Sequence, residues 1–147
     1  MPKFRLGNFL PYQLSVAANA VSRCVADGTG YMARFGLTAA EWRVLAVVAA
    51  AGRPTQAELI ALTGMDKMTI SRAVAPLCKR ELVDRVRDDG DRRTLRLSVT
   101  PTGLAIHDDI AALAIEVEQR LLAALSPSEA QTLRHALAML HRACAEP

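Results

Sequence analysis

The chain has 147 residues, 51% hydrophobic and only 4% aromatic, a length that supports one domain or two small ones with a real core. Eighteen Lys and Arg against fifteen Asp and Glu leave a net charge of +3, and the longest apolar run, Val44 to Ala51, spans eight residues, far short of the roughly 20 needed to cross a bilayer. Three widely spaced cysteines, Cys24, Cys78 and Cys144, argue against a disulfide framework. The amino-terminal stretch lacks the apolar core of a signal peptide, so a cytoplasmic protein with reduced thiols and no membrane partner is expected.

An Ala- and Leu-rich composition favours helices. The first is predicted over residues 11 to 35, where Leu14, Val16, Ala17, Ala20, Val21, Cys24 and Val25 recur at helical spacing and Pro11 suits the first turn. Gly28 and Gly30 weaken it, so that it bends there or ends and restarts at Tyr31. Ahead of it lie Leu6, Phe9, Leu10 and Tyr12, apolar residues on a short arm that suits a partner surface better than a core.

Thr38 and Glu41 form a capping box that opens a second helix, stopped after Ala51 by Gly52 and Pro54. Its core residues are Leu45, Ala46, Val48, Ala49 and the single tryptophan, Trp42, read as a core anchor. Thr55 and Glu58 make a second box for a short helix over residues 56 to 62. After the turn Thr63-Gly64-Met65, Asp66 caps a helix over residues 67 to 80. Two short helices joined by a three-residue turn containing Gly fit a helix-turn-helix. Lys67, Met68, Thr69, Ser71 and Arg72 then occupy the base-facing start of the second helix. Ile70, Ala73, Val74 and Leu77 make its core stripe. Pro76 predicts a kink or an early loosening after Ala75.

From Leu82 the period changes to two. Leu82, Asp84 and Val86 alternate with Val83, Arg85 and Arg87; after Asp88-Asp89-Gly90-Asp91, Leu95, Leu97 and Val99 alternate with Thr94, Arg96 and Ser98. The pattern predicts a hairpin with one apolar face. Arg92 and Arg93 at its tip suit a narrow minor groove, and Asp91 is placed to hold a guanidinium in its working rotamer. Residues 66 to 96 hold nine Lys and Arg against six Asp and Glu, so the whole net charge of +3 resides there. Lys79, Arg85 and Arg87 add to it. Such a localised excess serves phosphate contact, although a charge run alone is more often a solvated surface.

Thr100-Pro101 opens a long helix to about residue 125, and Ser126-Pro127-Ser128-Glu129 caps a last one to about Cys144. Leu104, Ile110, Leu113, Val117, Leu121 and Leu122, then Leu133, Leu137 and Leu140, form stripes longer than one small core needs. They are read as the interface of a homodimer. The expected fold is therefore mainly α with a small β-hairpin: a winged helix-turn-helix over residues 37–100, flanked by helical dimerisation regions at 1–36 and 101–147.

The order Leu37-Thr38…Trp42…Leu45, Gln56…Leu59, Asp66-Lys67…Thr69…Ser71-Arg72, Leu82-Val83…Arg85, Asp91-Arg92-Arg93 and Leu97…Thr100…Gly103 resembles the MarR family of bacterial transcriptional regulators. The likeness runs from about residue 37 to 103. It implies an obligate homodimer on double-stranded DNA, with recognition helices in successive major grooves and wings in the minor groove. It places the wing arginine at Arg93, with Asp91 as its partner. The family usually has Gly where this chain has Glu81, and Leu where it has Val99. The family also implies a small-molecule effector, often a phenolic or aromatic acid, bound between the dimer helices and the DNA-binding lobe. The segment FLPYQLSVAANAVS resembles regulators of aromatic-acid degradation. Arg23, Arg43 and His107 are the candidate partners for a carboxylate. Cys24 does not match the position of the family's oxidant-sensing cysteine.

The three histidines form no HExxH or Cys–His pattern, and there is no P-loop or GxGxxG. No enzyme, cofactor or metal is expected. The function expected is a ligand-responsive repressor on a palindromic operator. The alternative is a winged-helix module for protein interaction or dimerisation that does not bind DNA.

Overall fold

A computed structural model describes residues 1–146. After a 3-10 turn at Leu6–Asn8 come helices α1 (Leu10–Thr29), α2 (Tyr31–Phe35), α3 (Ala39–Ala51), α4 (Gln56–Thr63) and α5 (Lys67–Lys79). The antiparallel strands β1 (Val83–Arg87) and β2 (Leu95–Val99) precede α6 (Pro101–Leu122) and α7 (Pro127–Ala145). The molecule is mainly helical with one small hairpin, the winged helix-turn-helix arrangement. No helix among the described residues is long and apolar enough to cross a membrane.

Helix starts are set by local hydrogen bonding. Thr38, Thr55 and Ser126 each accept from the backbone N–H three residues on, and Glu41, Glu58 and Glu129 each return a carboxylate to the cap's own N–H. Asp66 accepts from the Thr69 N–H at 2.8 Å and the Thr69 hydroxyl at 3.0 Å; the backbone bond first, then the hydroxyl, holds its carboxyl below the usual range. The long first helix ends and restarts: Gly30, at φ 62°, returns its N–H to Ala26 and leads into α2.

The core lies where α3, α4, α5 and α6 meet. Leu37, Val44, Leu45, Val48, Leu59, Ile70, Val74, Leu77, Val83 and Ile110 are fully or almost fully buried. Each such side chain is worth about 1.5–3 kcal/mol, and together they fix α5 against α3 and α4.

Helix α5 does not loosen after Ala75. It continues through Pro76 to Lys79, and the Arg80 N–H returns to the Pro76 carbonyl. A proline so near the end of a helix forfeits one bond, to Arg72, while the buried Leu77 holds the last turn. The exit is a tight wrap: the Leu82 N–H reaches back to the Leu77 carbonyl at 2.9 Å, and Glu81 adopts the left-handed φ of 57° that a glycine would take.

The hairpin registers Val83 with Val99, Arg85 with Leu97 and Arg87 with Leu95. Opposed residues share a face, so the apolar face is complete only at the base and is interrupted by Arg85 and Arg87 above. Leu95 is exposed there, whereas Leu97 is buried. The expected single apolar face is thus confined to the end of the hairpin that meets the core.

No side chain of α7 is buried among the described residues. Leu133, Leu137, Met139 and Leu140 are exposed, as are Phe4, Leu6, Phe9, Leu10 and Tyr12 of the amino-terminal region. An ion pair from Arg134 to Glu118, 2.8 Å, links α7 to α6.

Candidate nucleic-acid interface

The start of α5 presents Lys67, Met68, Ser71 and Arg72 to solvent, with Thr69 half-exposed beside its cap. Its opposite stripe, Ile70, Ala73, Val74 and Leu77, is buried. Lys79 is exposed at the other end of the helix, and Arg85, Arg87, Arg92 and Arg93 are exposed along the hairpin. Among the described residues, Lys67, Arg72, Lys79, Arg85, Arg92 and Arg93 enter no ion pair, so their charge is available to a polyanion.

The hairpin tip is a built turn. Asp88 Oδ2 accepts from the backbone N–H groups of Gly90 and Asp91, at 3.2 and 3.0 Å. Arg87 donates through Nη1 to the Arg92 carbonyl at 2.7 Å. Asp91 departs from its expected role. Its Oδ1 accepts from the Arg93 backbone N–H at 3.0 Å and its Oδ2 from the Thr94 hydroxyl at 3.2 Å. The carboxylate shapes the backbone beneath Arg93 and does not pair with its guanidinium.

The residue that ties the wing to the start of α4 is Arg96, counted in the charge excess but given no role from sequence. Its Nε donates to Asp88 Oδ1 at 2.5 Å and its Nη1 to the Arg53 carbonyl at 2.8 Å, with Glu58 Oε2 3.6 Å away. The Arg96 bond, ahead of those from the turn, draws the Asp88 carboxyl below the usual range. Alongside, the Leu97 N–H donates to the Pro54 carbonyl. The partners are 8 and 43 residues away in sequence, a separation that periodicity does not reach. The polar contacts continue into α5, since Gln56 Nε2 donates to Ser71 Oγ at 2.7 Å.

A second feature lies between α1, α3 and α6. Trp42 is half-buried against the core and stacks on Tyr31 (centroids 6.4 Å apart, 24°) and on His107 (5.7 Å, 28°). Two clefts share Val21, Val25 and Trp42 as walls. One, of about 220 Å³, also has Tyr31 and Arg43; the other, of about 410 Å³, has His107, Ala111 and Ile115. Burial pushes the Tyr31 hydroxyl up, with Arg43 pulling the other way. Arg43 and His107 are therefore brought to one aromatic platform. The exposed Arg23 lines neither cleft. Trp42 is a cleft wall as well as a core anchor, and a lone aromatic in an apolar helix gives no sign of that.

A family model described as MarR family matches residues 35–94. The crystal structure of a probable transcriptional regulator from Pseudomonas aeruginosa is 36% identical, covering 92% of this chain and 99% of that one with a TM-score of 0.77. That of a MarR family regulator from Silicibacter pomeroyi is 25% identical over 92% of this chain and 90% of its own, TM-score 0.78. The chain belongs to the MarR family of transcriptional regulators. It is also 33% identical over 93 residues to the HTH-type transcriptional repressor NicR of Pseudomonas putida; the match takes 63% of this chain and spans 59% of that relative. The MarR family model covers α3, α4, α5, β1 and the hairpin tip. The likeness to solved structures extends over the flanking helices as well.

Proposed function

We propose that this MarR-family chain is a repressor that binds a palindromic operator in double-stranded DNA as a homodimer, acts in the cytoplasm, and is released by a small aromatic acid. The observation that carries the reading is the wing: Arg92 and Arg93, free of ion pairs among the described residues, ride a turn tied through Asp88 and Arg96 to the start of α4. So braced, a loop arginine keeps little freedom to lose on entering a minor groove. Lys67, Met68, Thr69, Ser71 and Arg72 meet base edges and phosphates of the major groove, and Lys79, Arg85 and Arg87 supply phosphate contacts. The repressor sense follows the curated relative NicR.

Residues 1–36 and 101–147 form the dimerisation region around the winged helix-turn-helix of 37–100. Support comes from the apolar side chains of α7 and the amino-terminal region, which are exposed in the single chain. The effector enters the clefts at Trp42, its ring on the indole and its carboxylate on Arg43 or His107. A further cleft of about 490 Å³, lined by Cys24, Asp27, Gly28, Val117, Arg120 and Leu121, has no aromatic wall and suits such a ligand less.

The test is fluorescence anisotropy with DNA from upstream of the chain's own gene against scrambled DNA. Affinity is expected to fall steeply with salt, and Arg93→Ala to cost about 1–3 kcal/mol without unfolding the protein. No binding to either DNA at low salt would favour the protein-interaction alternative, and unchanged DNA affinity in Arg93→Ala would remove the wing from the mechanism.

A further inference from the structure

The bond from Gln56 Nε2 to Ser71 Oγ, 2.7 Å, is the one side-chain bond that joins α4 to α5 among the described residues. It lies on the exposed side of both helices, where a hydrogen bond adds little to stability. It also immobilises a glutamine with three side-chain torsions, at an entropic cost. Its effect falls on Ser71. A serine within a helix commonly turns its hydroxyl onto a carbonyl of the preceding turn. Among the described residues Ser71 makes no such bond, and its oxygen instead accepts from Gln56. One lone pair is occupied, and among the described residues the hydroxyl hydrogen has no acceptor. The serine is thereby presented as a donor. The Gln56 amide keeps a second hydrogen, at the start of α4, the helix that crosses the backbone in a helix-turn-helix complex.

We infer that Gln56 is a positioning residue: one amide hydrogen holds Ser71 Oγ while the other meets a DNA phosphate, so that Ser71 donates its hydroxyl to an acceptor on a base edge. Purine N7, guanine O6 and thymine O4 are the acceptors that the major groove offers. The phosphate contact carries no sequence information of its own. Through the shared amide it sets where Ser71 reads. The inference rests on the DNA-binding function proposed above.

The experiment begins with the full-length wild-type protein and a pool of random duplexes, from which its preferred operator is selected. Affinities of wild type, Gln56→Met, Ser71→Ala and the double variant are then compared on that operator and on a scrambled duplex at one salt concentration. Gln56→Met keeps the length of the side chain and removes both donors. Each single variant is expected to lose about three- to tenfold on the operator, and the double variant no more than the weaker-binding single. Ser71→Ala should lose clearly less on scrambled DNA than on the operator, since a base-edge contact adds nothing there. Thermal midpoints should not move. Losses that multiply in the double variant, or an equal loss by Ser71→Ala on both duplexes, would overturn the inference and leave the regulator standing. Failure of the wild type to enrich any sequence would overturn the regulator itself, and this role with it.

Discussion

The carbonyl oxygen of Leu82 occupies the space that a side chain on Gly103 would need: a Cβ at Gly103 would lie 2.0 Å from it. The first turn of α6 is thus pressed against the exit of α5. Three further bonds seal the joint, from the Thr100 N–H to the Leu82 carbonyl, from the Thr100 hydroxyl to Glu81, and from the Gly103 N–H to the Thr100 hydroxyl. Alanine is the better helix former by about 1 kcal/mol, and propensity alone has Gly103→Ala stabilise the protein. The contact reverses the sign, because backbone must shift to admit the methyl. Gly103→Ala is expected to destabilise by about 2–3 kcal/mol in urea or thermal unfolding. Equal or greater stability would mean that the joint is loose.

Glu81 stands on the other side of that joint at φ 57°. A side chain in the left-handed region costs about 1–2 kcal/mol, partly offset by the greater chain entropy of glycine. Glu81→Gly is therefore expected to raise stability by about 0.5–1 kcal/mol and to leave DNA affinity unchanged. A fall in stability would show that the glutamate makes an interaction outweighing the strain.

Arg96 and Asp88 tie the wing to the start of α4. Arg96→Ala should leave the helical content intact and weaken operator binding by about 1 kcal/mol, since a freed wing must be ordered again on DNA. The Asp88 carboxyl is held below its ordinary value, mainly by Arg96. A group so shifted contributes above its unfolded-state value and loses that contribution as pH falls through the lowered folded-state value. Wing attachment should then be independent of pH from about 5 to 8 and fail only in acid. Loss of operator binding on going from pH 7 to 5.5 would assign the switch to another group.

Trp42 is the single tryptophan and a wall of both aromatic clefts. Its fluorescence should report directly on a ring stacked against it. A binding aromatic acid should change the emission, and Arg43→Ala should weaken that binding about tenfold, the worth of one charge-assisted hydrogen bond. Saturating emission changes that are identical in Arg43→Ala would remove this arginine from the ligand site.

Much of the fold was legible because its signals are local. Thr38 with Glu41, Thr55 with Glu58 and Ser126 with Glu129 mark three helix starts within four residues each, and alternation marks the strands. The core stripe of α5 follows from a period of 3.6. Pro76 misled, since its cost depends on where the helix ends and on Leu77 packing beneath it. Asp91 misled for a related reason: adjacency to Arg93 suggested a salt bridge, whereas the carboxylate is turned to donors of its own turn. What sequence did not convey were relations between distant residues. Arg96 with the Arg53 carbonyl, Gln56 with Ser71, Gly103 against Leu82 and His107 on Trp42 all depend on the packing of whole elements, and none leaves a periodic trace.

Helix α7 is 19 residues long and buries none of them in the single chain. An amphipathic helix of that length is marginal in water without a surface to cover its apolar side. On the dimer reading, each chain's last helix is held chiefly by the other chain, so completing the fold and finding a partner become one event. Dilution would then act as a denaturant on this region. The cell's stock of the protein would govern more than how many operators are filled: it would also set what fraction of the chains possess a finished last helix.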